Sequence, residues 1–178
     1  MATTPTTEEA TTDPSPSGSS PADPRIEELD SEGAPAATLL AASRILLVDD
    51  NLQNLELMQA YLEGLPCRLT TARDGIEAIA AIEHDKPDLV LLDVMMPRMS
   101  GFEVCQKIKS NPTTRDIVVI MVTALHEVGD YERAVECGTD DFLTKPVNKL
   151  ELVTRVKSLL RVSILKRKLD ALMNRRDA

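Results

Sequence analysis

From Arg44 onward, short runs of apolar, largely β-branched residues alternate five times with stretches of helical period. This alternation narrows the choice of fold most. A strand that is apolar on both faces must be covered on both, and helices that link parallel strands provide the cover. The strands predicted are 45–48, 67–71, 89–92, 117–122 and 141–144, with helices over about 51–63, 74–84, 101–110, 127–137 and from 148 onward. Asn51, Asp74, Ser100 and Asn148 stand where N-caps are needed, and Gly64, Gly138 and the Lys86-Pro87 pair punctuate helix ends. The expected fold class is α/β, a (βα)5 doubly wound parallel sheet of five strands. The fifth helix is expected to be elongated, because Val162, Leu165, Leu169 and Leu172 keep helical spacing beyond the length that covers a sheet.

The segment before Arg44 is of another kind. Residues 1–43 hold six of the eleven prolines, eight acids and one base, Arg25, with too little apolar surface to offset the entropy of ordering. It is read as a disordered acidic tail rich in Pro, Thr and Ser. Ile26-Glu-Glu-Leu-Asp30 and Thr38-Leu-Leu-Ala-Ala42 could each form a helical turn that docks, against the plainer reading of a solvated spacer. The compact domain is expected over 44–163, and 164–178 as an extension of the last helix. At 178 residues the chain has room for one ordinary domain and its appendages.

Twenty-one acids face nineteen Lys and Arg over 44–178, so the folded part is nearly neutral and lacks the basic stripe of a nucleic-acid reader. No direct nucleic-acid partner is expected. The start of the chain lacks the charged and apolar regions of a signal peptide, and no run of eighteen apolar residues occurs. The expectation is no membrane insertion and a cytoplasmic protein. Cys67, Cys105 and Cys137 are far apart in sequence and have no metal-site spacing, which reads as three buried, reduced thiols. His84 and His126 belong to no nucleophile or metal pattern and are expected to face solvent or bond locally.

In an open parallel sheet, side chains at the carboxyl ends of the strands converge on one edge. The first strand here runs into Asp49-Asp50, the third into Asp93, the fourth into Thr123-Ala124 and the fifth into Lys145-Pro146. Three carboxylates on one small rim repel one another unless a cation relieves them, and an all-oxygen cluster suits Mg²⁺ or Mn²⁺. Lys145, the Thr123 hydroxyl and the Ala124 backbone N–H could hold a tetrahedral phosphoryl group. Asp49 and Asp50 as loop carboxylates or caps, and Asp93 as a turn former, are the plainer alternatives. The order of these residues across five βα units speaks against them.

The blocks Ile45-Leu-Leu-Val-Asp-Asp50, Leu91-Leu-Asp-Val-Met-Met-Pro97, Met121-Val-Thr-Ala124 and Asp141-Phe-Leu-Thr-Lys-Pro146 resemble the signatures of response-regulator receiver domains of two-component signalling. The resemblance covers about residues 44–163. It implies a flavodoxin-like receiver fold in which Asp93 is the phosphoacceptor, and in which Asp49, Asp50, Asp93 and the backbone carbonyl of Met95 hold Mg²⁺. By the same resemblance Lys145 pairs with phosphoryl oxygens, Ala124 N–H contacts them, and Thr123 and Phe142 form a switch. For Phe142 a plain core aromatic is the alternative. The implied partners are a histidine kinase or a histidine phosphotransfer protein, and a downstream protein that the residues do not name.

The function expected is a phosphorelay switch whose output face comprises the fourth helix, fifth strand and fifth helix. Such a chain modifies itself and turns over no metabolite. The alternatives are a receiver-like module that works without phosphorylation, or an aspartyl-phosphate phosphohydrolase. The second lacks an acid two residues after Asp93, where Met95 stands. Met95 and Leu125 are apolar where a polar group would position an attacking water, which predicts a long-lived phosphoaspartate. The extended last helix is similar to receivers that lead into a signalling helix, including those of diguanylate-cyclase regulators. With no room for a further output domain, a stand-alone regulator is expected, with self-pairing through that helix.

Overall fold

The computed structural model describes residues 40–41, 43–124 and 128–176, without the side chains of 128–131, 171–172 and 174–176. The tail before residue 40, Leu125, His126 and the Leu172 side chain lie outside the described residues. Within them the chain alternates strand and helix: β1 Arg44–Val48, α1 Leu52–Leu62, β2 Arg68–Ala72, α2 Gly75–His84, β3 Leu89–Asp93, α3 Gly101–Ser110, β4 Val118–Thr123, α4 Val128–Glu136, β5 Asp141–Thr144 and α5 Lys149–Arg176. The five strands form one sheet in the order β2-β1-β3-β4-β5, and every pairing is parallel. This is the doubly wound architecture expected from the alternation.

Strand residues divide by parity between two cores. Ile45, Leu47, Leu89, Leu91, Val118, Ile120 and Val122 point to one side, where Leu55, Met58 and Leu62 of α1 and Leu152, Val156 and Leu160 of α5 cover them. Leu46, Val48, Val90, Leu92, Val119 and Met121 point to the other, under Ala78 and Ile82 of α2, Phe102, Cys105 and Ile108 of α3, and Ala134 of α4. β3 and β4 are buried along their whole length, which is why they read as unbroken apolar runs. The edge strand β2 is mostly exposed and correspondingly polar.

Two strands start one residue later than expected for a local reason. Cys67 donates its backbone N–H to Leu65 in a turn, so β2 starts at Arg68 opposite Arg44. Ile117 likewise donates to Thr114, and β4 starts at Val118. The expected caps are present: Asn51 and Asp74 accept first-turn N–H groups, Ser100 forms a capping box with Glu103, and Asn148 accepts the Glu151 N–H. After α4 the chain reverses at Gly138, whose φ of +80° favours a residue without a Cβ.

Leu40 and Ala41 are helical, and Leu40 packs on the α1/α5 core, while the rest of 38–42 lies outside the described residues. At the other end, α5 runs for 28 residues. Its core residues recur every four positions, Leu152, Val156, Leu160 and Ile164. Beyond Ile164, Arg167 still reaches Asp88 at 2.7 Å, and residues 165–170 are exposed.

Candidate metal centre

The parallel sheet brings the ends of β1 and β3 side by side, so Asp49, just past β1, lies near Asp93, the last residue of β3. Asp49, Asp50 and Asp93 each offer a carboxylate oxygen, and these atoms lie within 4.8 Å of one another. Asp49 is fully buried, Asp93 is 4% exposed and Asp50 is open to solvent. An oxygen-only donor set of this charge fits a hard divalent cation such as Mg²⁺ or Mn²⁺.

Two charges this deep need partners. Lys145, just past β5, bridges them, with Nζ 2.9 Å from Asp49 Oδ2 and 3.0 Å from Asp93 Oδ1. Asp49 also accepts the Asn51 backbone N–H at 2.9 Å and the Asn54 amide at 3.1 and 3.0 Å on its two oxygens. Each Asp49 oxygen thus receives two donors, close to the full capacity of a carboxylate. Asp93 is less well compensated. Burial pushes its carboxyl pKa up, the Lys145 ammonium works against this, the Asp49 charge adds to it, and a bond from Met95 N–H opposes it. For Lys145, burial favours the neutral amine, but the bonds to Asp49 and Asp93 outweigh it and the pKa rises, so the ammonium is kept.

The loop after Asp93 is held close by the absence of a side chain at Gly101. A Cβ there would stand 2.2 Å from the Asp93 carbonyl oxygen, while Gly101 N–H bonds to Val94 O at 3.0 Å. The start of α3 therefore abuts the strand that carries Asp93. Met95 is 66% exposed in this loop. A cleft of about 360 Å³ opens beside the cluster, lined by Asp49, Asn54, Leu57, Met58, Lys145 and Pro146.

Of the residues expected at this site, Asp49, Asp50, Asp93 and Lys145 are in direct proximity. Thr123 is buried at the end of β4, with Ala124 exposed just after it. Its backbone carbonyl accepts Lys145 N–H at 2.7 Å, which joins the ends of β4 and β5. Phe142 lies farther back, paired with Met121 and packed on the α2/α3/α4 core. Asn51 and Asn54 were not foreseen as site residues. The available signal was a pair of amides one helical turn apart directly after Asp49-Asp50. His84 is exposed in the last turn of α2. The cysteine expectation needs correcting: all three thiols are free, but only Cys105 is buried, and the fold brings Cys137 to it.

Residues 45–157 match the family described as the response regulator receiver domain. Response regulator PleD of Caulobacter vibrioides is 47% identical over 123 residues, which cover 69% of this chain and 27% of that protein. The chain therefore spans about a quarter of that relative's length. Among solved structures, the receiver domain of a signal transduction histidine kinase from Syntrophus aciditrophicus is similar with a TM-score of 0.64 and 38% identity, covering 67% of this chain and 91% of that one. The Mn(2+)-bound form of response regulator Rcp1 is similar with a TM-score of 0.59 and 31% identity, covering 66% and 91%.

Proposed function

This chain belongs to the response regulator receiver domain family, and from that membership we propose that it is a phosphorelay switch in which Asp93 accepts a phosphoryl group from a partner's phosphohistidine. The observation that carries the reading is the carboxylate cluster within 4.8 Å, bridged by Lys145 across Asp49 and Asp93. In the transfer, an Asp93 carboxylate oxygen attacks phosphorus, the P–N bond of the donor breaks, and the imidazole leaves with the electron pair.

The residues that would hold a divalent cation are Asp49, Asp50, Asp93 and the Met95 carbonyl. Mg²⁺, or Mn²⁺ as in the Rcp1 crystals, supplies positive charge that offsets both the carboxylates and the incoming phosphoryl oxygens. Lys145 then trades its bond to Asp93 for one to the phosphoryl group, and Thr123 and the Ala124 N–H bond its other oxygens. These contacts exist only in the phosphorylated state, so they bias the face formed by α4, β5 and α5, with Phe142 moving as Thr123 is drawn inward.

The donor is a histidine kinase or a histidine phosphotransfer protein, and the output is a protein–protein contact in the cytoplasm. Among the described residues no helix is long and apolar enough to cross a membrane. α5 offers the surface for self-pairing: Val162, Leu165, Leu169 and Met173, at spacings of three and four, are 63%, 52%, 57% and 57% exposed. The chain catalyses only its own modification.

Intact mass after incubation with acetyl phosphate and Mg²⁺ tests the reading. One added phosphate is expected for the wild type, and none for Asp93→Asn or in EDTA. Equal uptake by Asp93→Asn would place the acceptor elsewhere. With Met95 and Leu125 unable to position water, the added mass should persist, and its rapid loss in Mg²⁺ would refute that part.

A further inference from the structure

Outside the acidic edge, α3 meets the end of α4 and the turn after it through three successive contacts. Phe102 lies under the Arg133 guanidinium, 4.6 Å from ring centroid to Cζ. Cys105 Sγ stands 3.4 Å from the Cys137 carbonyl oxygen, to which it donates, and Cys137 Sγ donates to the Ala134 carbonyl at 3.0 Å. Lys109 Nζ reaches Asp140 Oδ2 at 2.7 Å. Positions 102, 105 and 109 share one face of α3, since residues three and four apart lie above one another. The cysteine pair is thus the middle of three matched contacts, with a cation–π pair on one side and an ion pair on the other.

We propose that Cys105 and Cys137 form a redox modification site, in which a hydroperoxide converts the facing thiols to an intramolecular disulfide. The two cysteines suit different roles. Cys137 is partly exposed, whereas Cys105 is fully buried. The adjoining Cys105 side chain lowers the Cys137 pKa and favours thiolate there, with Lys109 contributing in the same direction. The Cys137 side chain and burial together push Cys105 up and hold it as the thiol. Cys67, the third cysteine, is pushed up by burial and has neither aid.

In the first step the Cys137 thiolate attacks the outer oxygen of the hydroperoxide. The O–O bond breaks, the alkoxide leaves and takes a proton to become the alcohol, and Cys137 becomes a sulfenic acid. In the second step the Cys105 sulfur attacks the Cys137 sulfur. The S–S bond forms, the S–O bond breaks, and the departing hydroxide takes the Cys105 proton as water. In sum, two thiols lose two hydrogens and two electrons, and one hydroperoxide becomes one alcohol and one water. The clamps at Phe102–Arg133 and Lys109–Asp140 keep α3 and the α4 end together, so the bond joins groups already in contact.

The full chain treated with hydrogen peroxide at neutral pH, denatured without reductant and alkylated, provides the test. Expected are a mass lower by two hydrogens, one titratable thiol where there were three, and a peptide linking Cys105 to Cys137. Cys67→Ser should give the same link and Cys137→Ser none. In the untreated protein at pH 7, Cys137 should alkylate at least about tenfold faster than Cys67. Three thiols surviving peroxide, a link through Cys67, or a link only between two chains would overturn the proposal. None of these readouts involves Asp93, so they stand or fall apart from the phosphorelay reading.

Discussion

Two places in this molecule use the same device, a basic side chain bridging two carboxylates. Lys145 bridges Asp49 and Asp93 at the sheet edge, and Arg155 bridges Asp141 and Glu151 along β5 and α5. The contacts are alike in length, between 2.6 and 3.0 Å. What differs is the surroundings. The acids at Lys145 have side chains 0% and 5% exposed, against 23% and 42% at Arg155. Water and salt screen the Arg155 group, whereas the Lys145 group must be balanced by protein donors or by an added cation. The same arrangement is therefore a surface detail in one place and a buried charge cluster in the other.

The contrast can be broken most severely by Asp93→Asn, which should abolish phosphate uptake altogether in the mass assay. In metal-free buffer the same variant should unfold at higher urea than the wild type. Burial raises the Asp93 pKa, so the fold opposes its ionised form and gains from an uncharged isostere. A lower urea midpoint would mean that Lys145 more than offsets the burial.

Next in size is Lys145→Met, which leaves two buried acids facing each other. A loss of about 3 kcal/mol in urea denaturation with EDTA is expected, together with phosphorylation slowed at least tenfold. Partial recovery of stability by Mg²⁺ would sharpen the case that Lys145 and the metal serve the same charges. Unchanged stability would put the Lys145 group in the same class as the Arg155 group.

Asn54→Ala removes two of the four donor contacts to Asp49 while keeping every charge. Mn²⁺ affinity, followed by the spectrum of the free ion, should fall about tenfold, because a ligand loses its orientation when its hydrogen-bonding support is removed. Asn54→His, which restores a donor, should recover most of the loss. Equal affinity in all three would show that Asp49 needs no help from α1. The smallest effect belongs to Arg155→Gln: less than about 1 kcal/mol, vanishing in high salt, with phosphorylation unaltered.

Much of this is legible in the sequence alone. β1, β3 and β4 announce themselves as unbroken apolar runs, and the residues directly after them name the rim. Once a parallel sheet is granted, Asp49, Asp93 and Lys145 must converge. Hydrophobic period tells which face of an element is covered but not what covers it, and the misses follow from that. Cys105 and Cys137 are 32 residues apart, and only the docking of α3 against the end of α4 brings them together. Asn54 reads as an ordinary polar position on an amphipathic helix, and its pairing with Asp49 depends on how that helix sits over the strand end. Likewise the period of α5 shows its length, whereas its tie to Asp88 through Arg167 depends on a loop at the opposite edge of the sheet.

That tie has a mechanical consequence. The Arg167–Asp88 contact is the last described grip of the body on α5, and the backbone continues as helix to Arg176, a further nine residues or roughly 14 Å. A stiff rod anchored at one end acts as a lever. A bend of about 10° at that point would carry the tip by roughly 2.5 Å over that length. Asp88 lies at the opposite end of β3 from Asp93, so its side chain would set the gain of the lever without taking part in the chemistry.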